Sequence, residues 1–101
     1  MTEQKEIVLK VAKDTVVEHL ATSVVKYIEE GYRVVMACIG CMPIMQATKA
    51  IAVANSRTGP HGFFLSMLPA FQIVHFPDKE TREIVERTAM RFTVIMRSFS
   101  E

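Results

Sequence analysis

Cysteine is scarce in this sequence, with two residues in 101. Two thiols cannot build the disulfide framework of a small secreted domain. Long apolar runs are missing as well: no stretch approaches the about 18 residues that a membrane-spanning helix needs. The opening MTEQKEIVLK is polar and then strand-like, without the apolar centre of a signal peptide. These absences lead to the expectation of a cytoplasmic protein with no membrane partner. Charge of one sign is not in excess either, because 12 Lys and Arg face 11 Asp and Glu for a net +1. Bulk attraction to a polyanion is therefore excluded, and any such binding must come from local placement. Also absent are a P-loop, G-x-G-x-x-G, G-x-S-x-G, internal repeats and any Pro/Gly/Ser-rich linker.

What is present is the composition of a folded domain, half apolar and 23% charged. The length suits one core, and residues 1–101 are expected to form one domain. Ile7 to Ala12 is a short β-rich run. Val16, Val17, Leu20, Ala21, Val24, Val25 and Ile28 form a stripe at helical spacing; Thr15 with Glu18 reads as a capping box and Gly31 as the stop. Tyr32 to Ile39 is apolar on both alternating faces after Arg33, as in a central strand covered on both sides.

A second helix is expected from Met42 or Pro43 to Asn55, apolar almost all round. Such a helix needs two covers: its own sheet, and either a second copy, making it a candidate homodimer contact, or helix one and a loop. Residues 55–62 read as a turn cluster. Phe63 to Phe76 reads as a long strand interrupted at Pro69 by a bulge, bend or edge position. A charged hairpin follows at 77–86, then a strand at 87–97 whose Thr88, Met90, Phe92, Val94 and Met96 face the core while the opposite face is solvated and basic. The order βαβαββ, with right-handed crossover, predicts a two-layer α/β sandwich: a mixed four-stranded sheet with two helices on one face.

Chemistry-bearing residues are few. Cys38 and Cys41 are spaced C-x-x-C, but the first thiol falls inside the apolar strand and only the second near a helix start, the reverse of a redox motif. As a metal site the pair lacks two further ligands, and His19, His61 and His75 do not stand at ligand spacing. Asp78, Glu80, Glu83 and Glu86 crowd a charged hairpin instead of pairing in an apolar setting. No cofactor is called for, and an enzyme is not expected. Cations at structured positions remain: Lys13, Lys49, Arg57, Lys79, Arg82, Arg87 and Arg91 are the candidate contacts to a nucleic-acid backbone, DNA or RNA.

Several short strings carry a resemblance when taken in order: Leu9-Lys10-Val11 with Lys13, Ile39-Gly40, Gln46-Ala47, Lys49-Ala50-Ile51-Ala52 with Ala54, Pro69-Ala70-Phe71, Glu86-Arg87-Thr88-Ala89, Val94 and Arg97. Together they resemble the stage V sporulation protein S family of the Alba-like superfamily. The resemblance implies the same βαβαββ order, dimers, a cytoplasmic role connected with sporulation, and nucleic-acid binding through three elements. By position these are the loop at Lys13, the Gly40 turn, and the hairpin at Lys79 and Arg82. Departures exist: the second loop lysine is Asp14, and the Gly40-Cys41-Met42-Pro43 turn carries no cation. Close relatives hold small residues in that turn, which implies that Cys38 and Cys41 belong to a turn and not to a thiol site. A protein-interaction module without nucleic acid is the alternative function, and a thiol redox protein stands behind it.

Overall fold

The computed structural model describes residues 4–98. Four strands and two helices follow in the order β1 (Glu6–Val11), α1 (Val17–Glu29), β2 (Arg33–Cys38), α2 (Cys41–Thr58), β3 (Phe63–Pro77) and β4 (Ile84–Ser98), with a 3₁₀ turn at Gly59–His61. The sheet runs β1-β2-β4-β3, with β1 and β2 parallel and the other pairs antiparallel. The expected mixed four-stranded sheet and βαβαββ order are found.

Alternation along the strands explains the core. Ile7, Leu9 and Val11 of β1, Val34, Met36 and Cys38 of β2, Phe92 and Val94 of β4, and Leu65 of β3 all point to one face. Leu20, Ala21 and Val24 of α1 and Ala47, Ala50, Ile51 and Ala54 of α2 close over it. Both helices thus lie on that face, and β2 sits centrally as its apolar pattern requires.

Local details depart from the sequence expectations. Thr15 does not cap α1. Its Oγ1 accepts from the Ala12 N–H at 2.7 Å, closing the turn after β1, and Val16 is the uncapped residue before the helix. Helix α2 begins at Cys41 and runs on to Thr58, so the first half of the expected turn cluster is helical. Its outer side exposes Met42, Met45 and Ala52 but also Thr48, Lys49 and Ser56, so it is less apolar than periodicity suggests.

Pro69 causes no interruption. β3 pairs in unbroken register from Phe63↔Ser98 to Pro77↔Ile84, and Pro69 is tolerated because β3 is an edge strand. The hairpin is shorter than expected, with its tip confined to 78–83, because β4 already starts at Ile84. On β4, Phe92 and Val94 are buried as expected, whereas Thr88 and Met96 are exposed and Ala89, on the other face, is buried.

Two 15-residue strands outrun a six-residue β2, which pairs with β4 only from Val35↔Thr93 to Cys38↔Met90. Beyond Met90 the β3–β4 ribbon continues alone as an arm roughly 20 Å long. The molecule is accordingly stretched, 56 × 34 × 18 Å with a radius of gyration of 15.1 Å, against about 13 Å for a compact chain of this length.

Candidate nucleic-acid interface

Strand direction decides which loops meet. β1 and β2 run parallel, so the turn after β1 and the turn from β2 into α2 emerge at the same end of the sheet, and the β3–β4 arm leaves from that end too. Three elements far apart in sequence are thereby gathered.

Lys10, on the helix-free face of β1, and Lys13, in the following turn, are both exposed. The turn is held by the Ala12–Thr15 bonds and tied to α2 by the Gln46 Nε2, which donates to the Thr15 carbonyl at 2.7 Å. Lys13 therefore projects from a fixed backbone.

Gly40 precedes α2 at φ 97° and ψ 170°, a region open to glycine and strained for any other residue. No side chain caps the helix. Pro43, buried in the first turn, removes one of the donors that a helix start leaves without an intrahelical partner. The remaining N–H groups mark the positive end of the helix dipole.

The arm forms the third wall. Between it, the helix-free sheet face and the start of α2 lies an open groove of about 810 Å³, whose lining includes Val8, Ile39, Met42, Val74 and Phe76 with Lys10, Lys13 and Arg91. At the arm's tip the Asp78 carboxylate accepts from the Glu80 and Thr81 N–H groups at 2.8 and 3.2 Å. Those bonds, aided weakly by Arg87, hold the Asp78 carboxyl below its ordinary pKa. Arg82 takes the left-handed φ of 63° and its N–H donates to the Asp78 carbonyl.

The seven candidate cations divide. Lys13, Lys79, Arg82, Arg87 and Arg91 stand at the arm end. Arg91 is half-buried and engaged with Glu6 at 3.0 Å. Lys49 lies on the outer side of α2, beside Asp14 and Gln46. Arg57 sits at the opposite end of α2, where it donates to the Thr22 Oγ1 at 2.7 Å. Lys10 is an eighth cation that the sequence reading passed over, and its place on an alternating strand is the signal that points to it.

The thiols also separate. Cys38 is buried in the core and burial pushes its pKa up to about 11, while Cys41 is exposed at the start of α2; both are free. Among the described residues no group of three or more His, Cys, Asp or Glu side chains could hold a metal ion, and no helix is long and apolar enough to cross a membrane.

A family model described as Stage V sporulation protein S (SpoVS) matches residues 7–97. Among solved structures, Alba from Thermoplasma volcanium superimposes with a TM-score of 0.62, covering 87% of this chain and 98% of that chain at 10% identity, a likeness of fold alone. No curated protein matches the sequence.

Proposed function

The chain belongs to the stage V sporulation protein S family, and from that premise we propose that it is a non-catalytic, dimeric nucleic-acid-binding protein with a regulatory role in sporulation. The observation that carries the reading is the gathering of Lys10, Lys13, the open start of α2 and the arm's Lys79, Arg82 and Arg87 at one end of the sheet. Phosphate contacts of this kind give affinity and position with little sequence preference. Helix starts and Lys or Arg side chains are the groups that make them. A homodimer through α2 would present two such ends to one polymer.

A second reading, a protein-interaction module, draws on the arm. Its tip, residues 78–83, carries Asp78, Glu80 and Glu83 against Lys79 and Arg82, and its body exposes Phe71 and Ile84.

Fluorescence anisotropy of labelled duplex DNA, single-stranded DNA and RNA at two salt concentrations separates the two. Salt-sensitive binding to any of them is the expected result. The paired change Lys79→Ala/Arg82→Ala should then lower the salt slope by about 0.9 for each duplex phosphate that is no longer neutralised. Flat curves at low salt with all three polymers would transfer the argument to the interaction module.

A further inference from the structure

Strand β3 is the outermost strand of the sheet, and its 15 residues, FFLSMLPAFQIVHFP, contain no Asp, Glu, Lys or Arg. Edge strands ordinarily carry charge, proline, a bulge or a cover, because unpaired N–H and C=O groups invite another strand. How this edge is protected can be followed residue by residue.

The Leu65 N–H donates to the Asn55 Oδ1 at 2.6 Å and the Asn55 Nδ2 donates to the Leu65 carbonyl at 3.0 Å. Leu65 therefore points its backbone away from β4. Antiparallel ladders alternate, so Phe63, Met67, Pro69, Phe71, Ile73, His75 and Pro77 point outward as well. At Phe63 the outward carbonyl is again covered from α2, by the Thr58 Oγ1 at 2.8 Å. Both prolines of β3 fall on outward positions, where no ladder donor is lost. What remains beyond Pro69 is an unguarded window at Phe71, Ile73 and His75, flanked by Pro69 and Pro77. Phe71 is 78% exposed and Ile73 49%.

We propose that this window is the seam between two copies of the chain, β3 pairing antiparallel with β3 about a two-fold axis through Ile73. The proposal rests on the dimer reading above and specifies its surface. The spacing is what such an axis requires. Ile73 meets Ile73 of the second copy and Phe71 meets His75. Pro69 falls opposite Pro77, so neither proline takes the place of a donor the other strand needs. A charge anywhere in the window would be brought close to its own copy, and the window holds none.

Charge complementarity selects the same partner. Asn55 stands level with Leu65, so the second half of α2 runs beside the first half of β3. The two-fold carries the second copy's tip, with its one excess acid, toward that stretch. There α2 presents Lys49 and Arg57, and α2 contains no acid. The partly apolar outer side of α2 would thus gain its second cover from the other copy's arm, and Lys49 would answer acids there in place of phosphate.

The test combines sedimentation equilibrium with amide exchange of the purified full chain read by NMR. Expected are a dimer and slow exchange at Phe71, Ile73 and His75, whose N–H groups point away from β4. Ile73→Pro removes the central donors while leaving the inner ladder untouched, as Pro69 and Pro77 do. It should raise the dimer dissociation constant roughly tenfold or more with a thermal melt that stays cooperative. Ile73→Lys keeps the donor but sets two like charges on the axis, and it should weaken the dimer most at low salt. A dimer that persists in both variants, with those amides exchanging freely in the wild type, overturns the seam and leaves the dimer to α2 alone. A wild-type monomer overturns the dimer reading itself.

Discussion

The Arg91 guanidinium on β4 meets the Glu6 carboxylate on β1 at 3.0 Å, reaching across β2 on the face that carries no helix. Glu6 is in register with Arg33 and Arg91 with Ala37, so the pair crosses at the level of Val35. Val35 has 0% exposure although no helix packs on that side. The stems of long side chains can supply such a cover. A guanidinium engaged in this way is held back from phosphate. Arg91→Ala should therefore change the salt slope of nucleic-acid binding far less than Lys79→Ala. Glu6→Gln should release Arg91 and steepen the slope by up to about 0.9. An equal drop in slope from Arg91→Ala and Lys79→Ala would mean that the ion pair opens on binding.

Gly40 is a second point of leverage. Its φ of 97° with ψ of 170° leads the chain from the last buried residue of β2 into α2. A Cβ there would meet only the Pro43 ring at 3.9 Å, so space is available and the backbone alone resists. Gly40→Ala should cost about 1–3 kcal/mol in urea unfolding. If binding uses the start of α2, affinity should fall with it, since relief of the strain would reorient the first turn. An unchanged midpoint would show that the turn relaxes freely.

The Asn55 side chain acts as a short piece of strand, giving Leu65 both a donor and an acceptor. Asn55→Ala leaves those two part-buried backbone groups without partners and should destabilise by about 1–3 kcal/mol. Asn55→Asp keeps the acceptor and loses the donor, so its stability should fall between wild type and Asn55→Ala. The Leu65 amide would exchange faster in Asn55→Ala and remain slow in Asn55→Asp; identical exchange in both would assign the stability to some other interaction.

Much of this architecture is legible in the sequence where one element's own pattern decides it. The stripe of Leu20, Ala21 and Val24 specifies α1, and the run through Val34, Val35 and Met36 specifies a central strand. Legibility ends where a distant partner decides. Thr15 with Glu18 has the form of a capping box, yet Thr15 is taken by the Ala12 turn. Residues 84–88, charged and turn-like by composition, are strand because they pair with 73–77, an instance of β-structure following context. Asn55 reads as a helix breaker until Leu65 is placed beside it. For the site, Lys13, Lys79 and Arg82 are legible as cations on connecting loops. That Arg57 faces Thr22 and Arg91 faces Glu6 depends on pairings across 35 and 85 residues, which no local pattern encodes.

The two thiols should behave as opposites, and pH separates them. Cys38 is fully buried among apolar side chains, and burial raises its pKa from an ordinary 9.0 to about 11. A thiol whose folded pKa lies above its unfolded value stabilises the fold fully below the unfolded pKa and loses that contribution as pH rises through the folded one. Stability should therefore decline between about pH 8 and pH 11, with Cys38 accounting for about 2 kcal/mol. Cys38→Ala isolates this part: it lowers stability at pH 7 through the small cavity it leaves, but its own decline with pH should be shallower than that of the wild type. Iodoacetamide should label Cys41 alone in the native protein and reach Cys38 only on unfolding. Equally fast labelling of both, or parallel pH profiles for wild type and Cys38→Ala, would mean that the β2 end opens in solution. That result would revive a redox role for the C-x-x-C pair, which a thiol protonated at neutral pH and sealed in the core cannot perform.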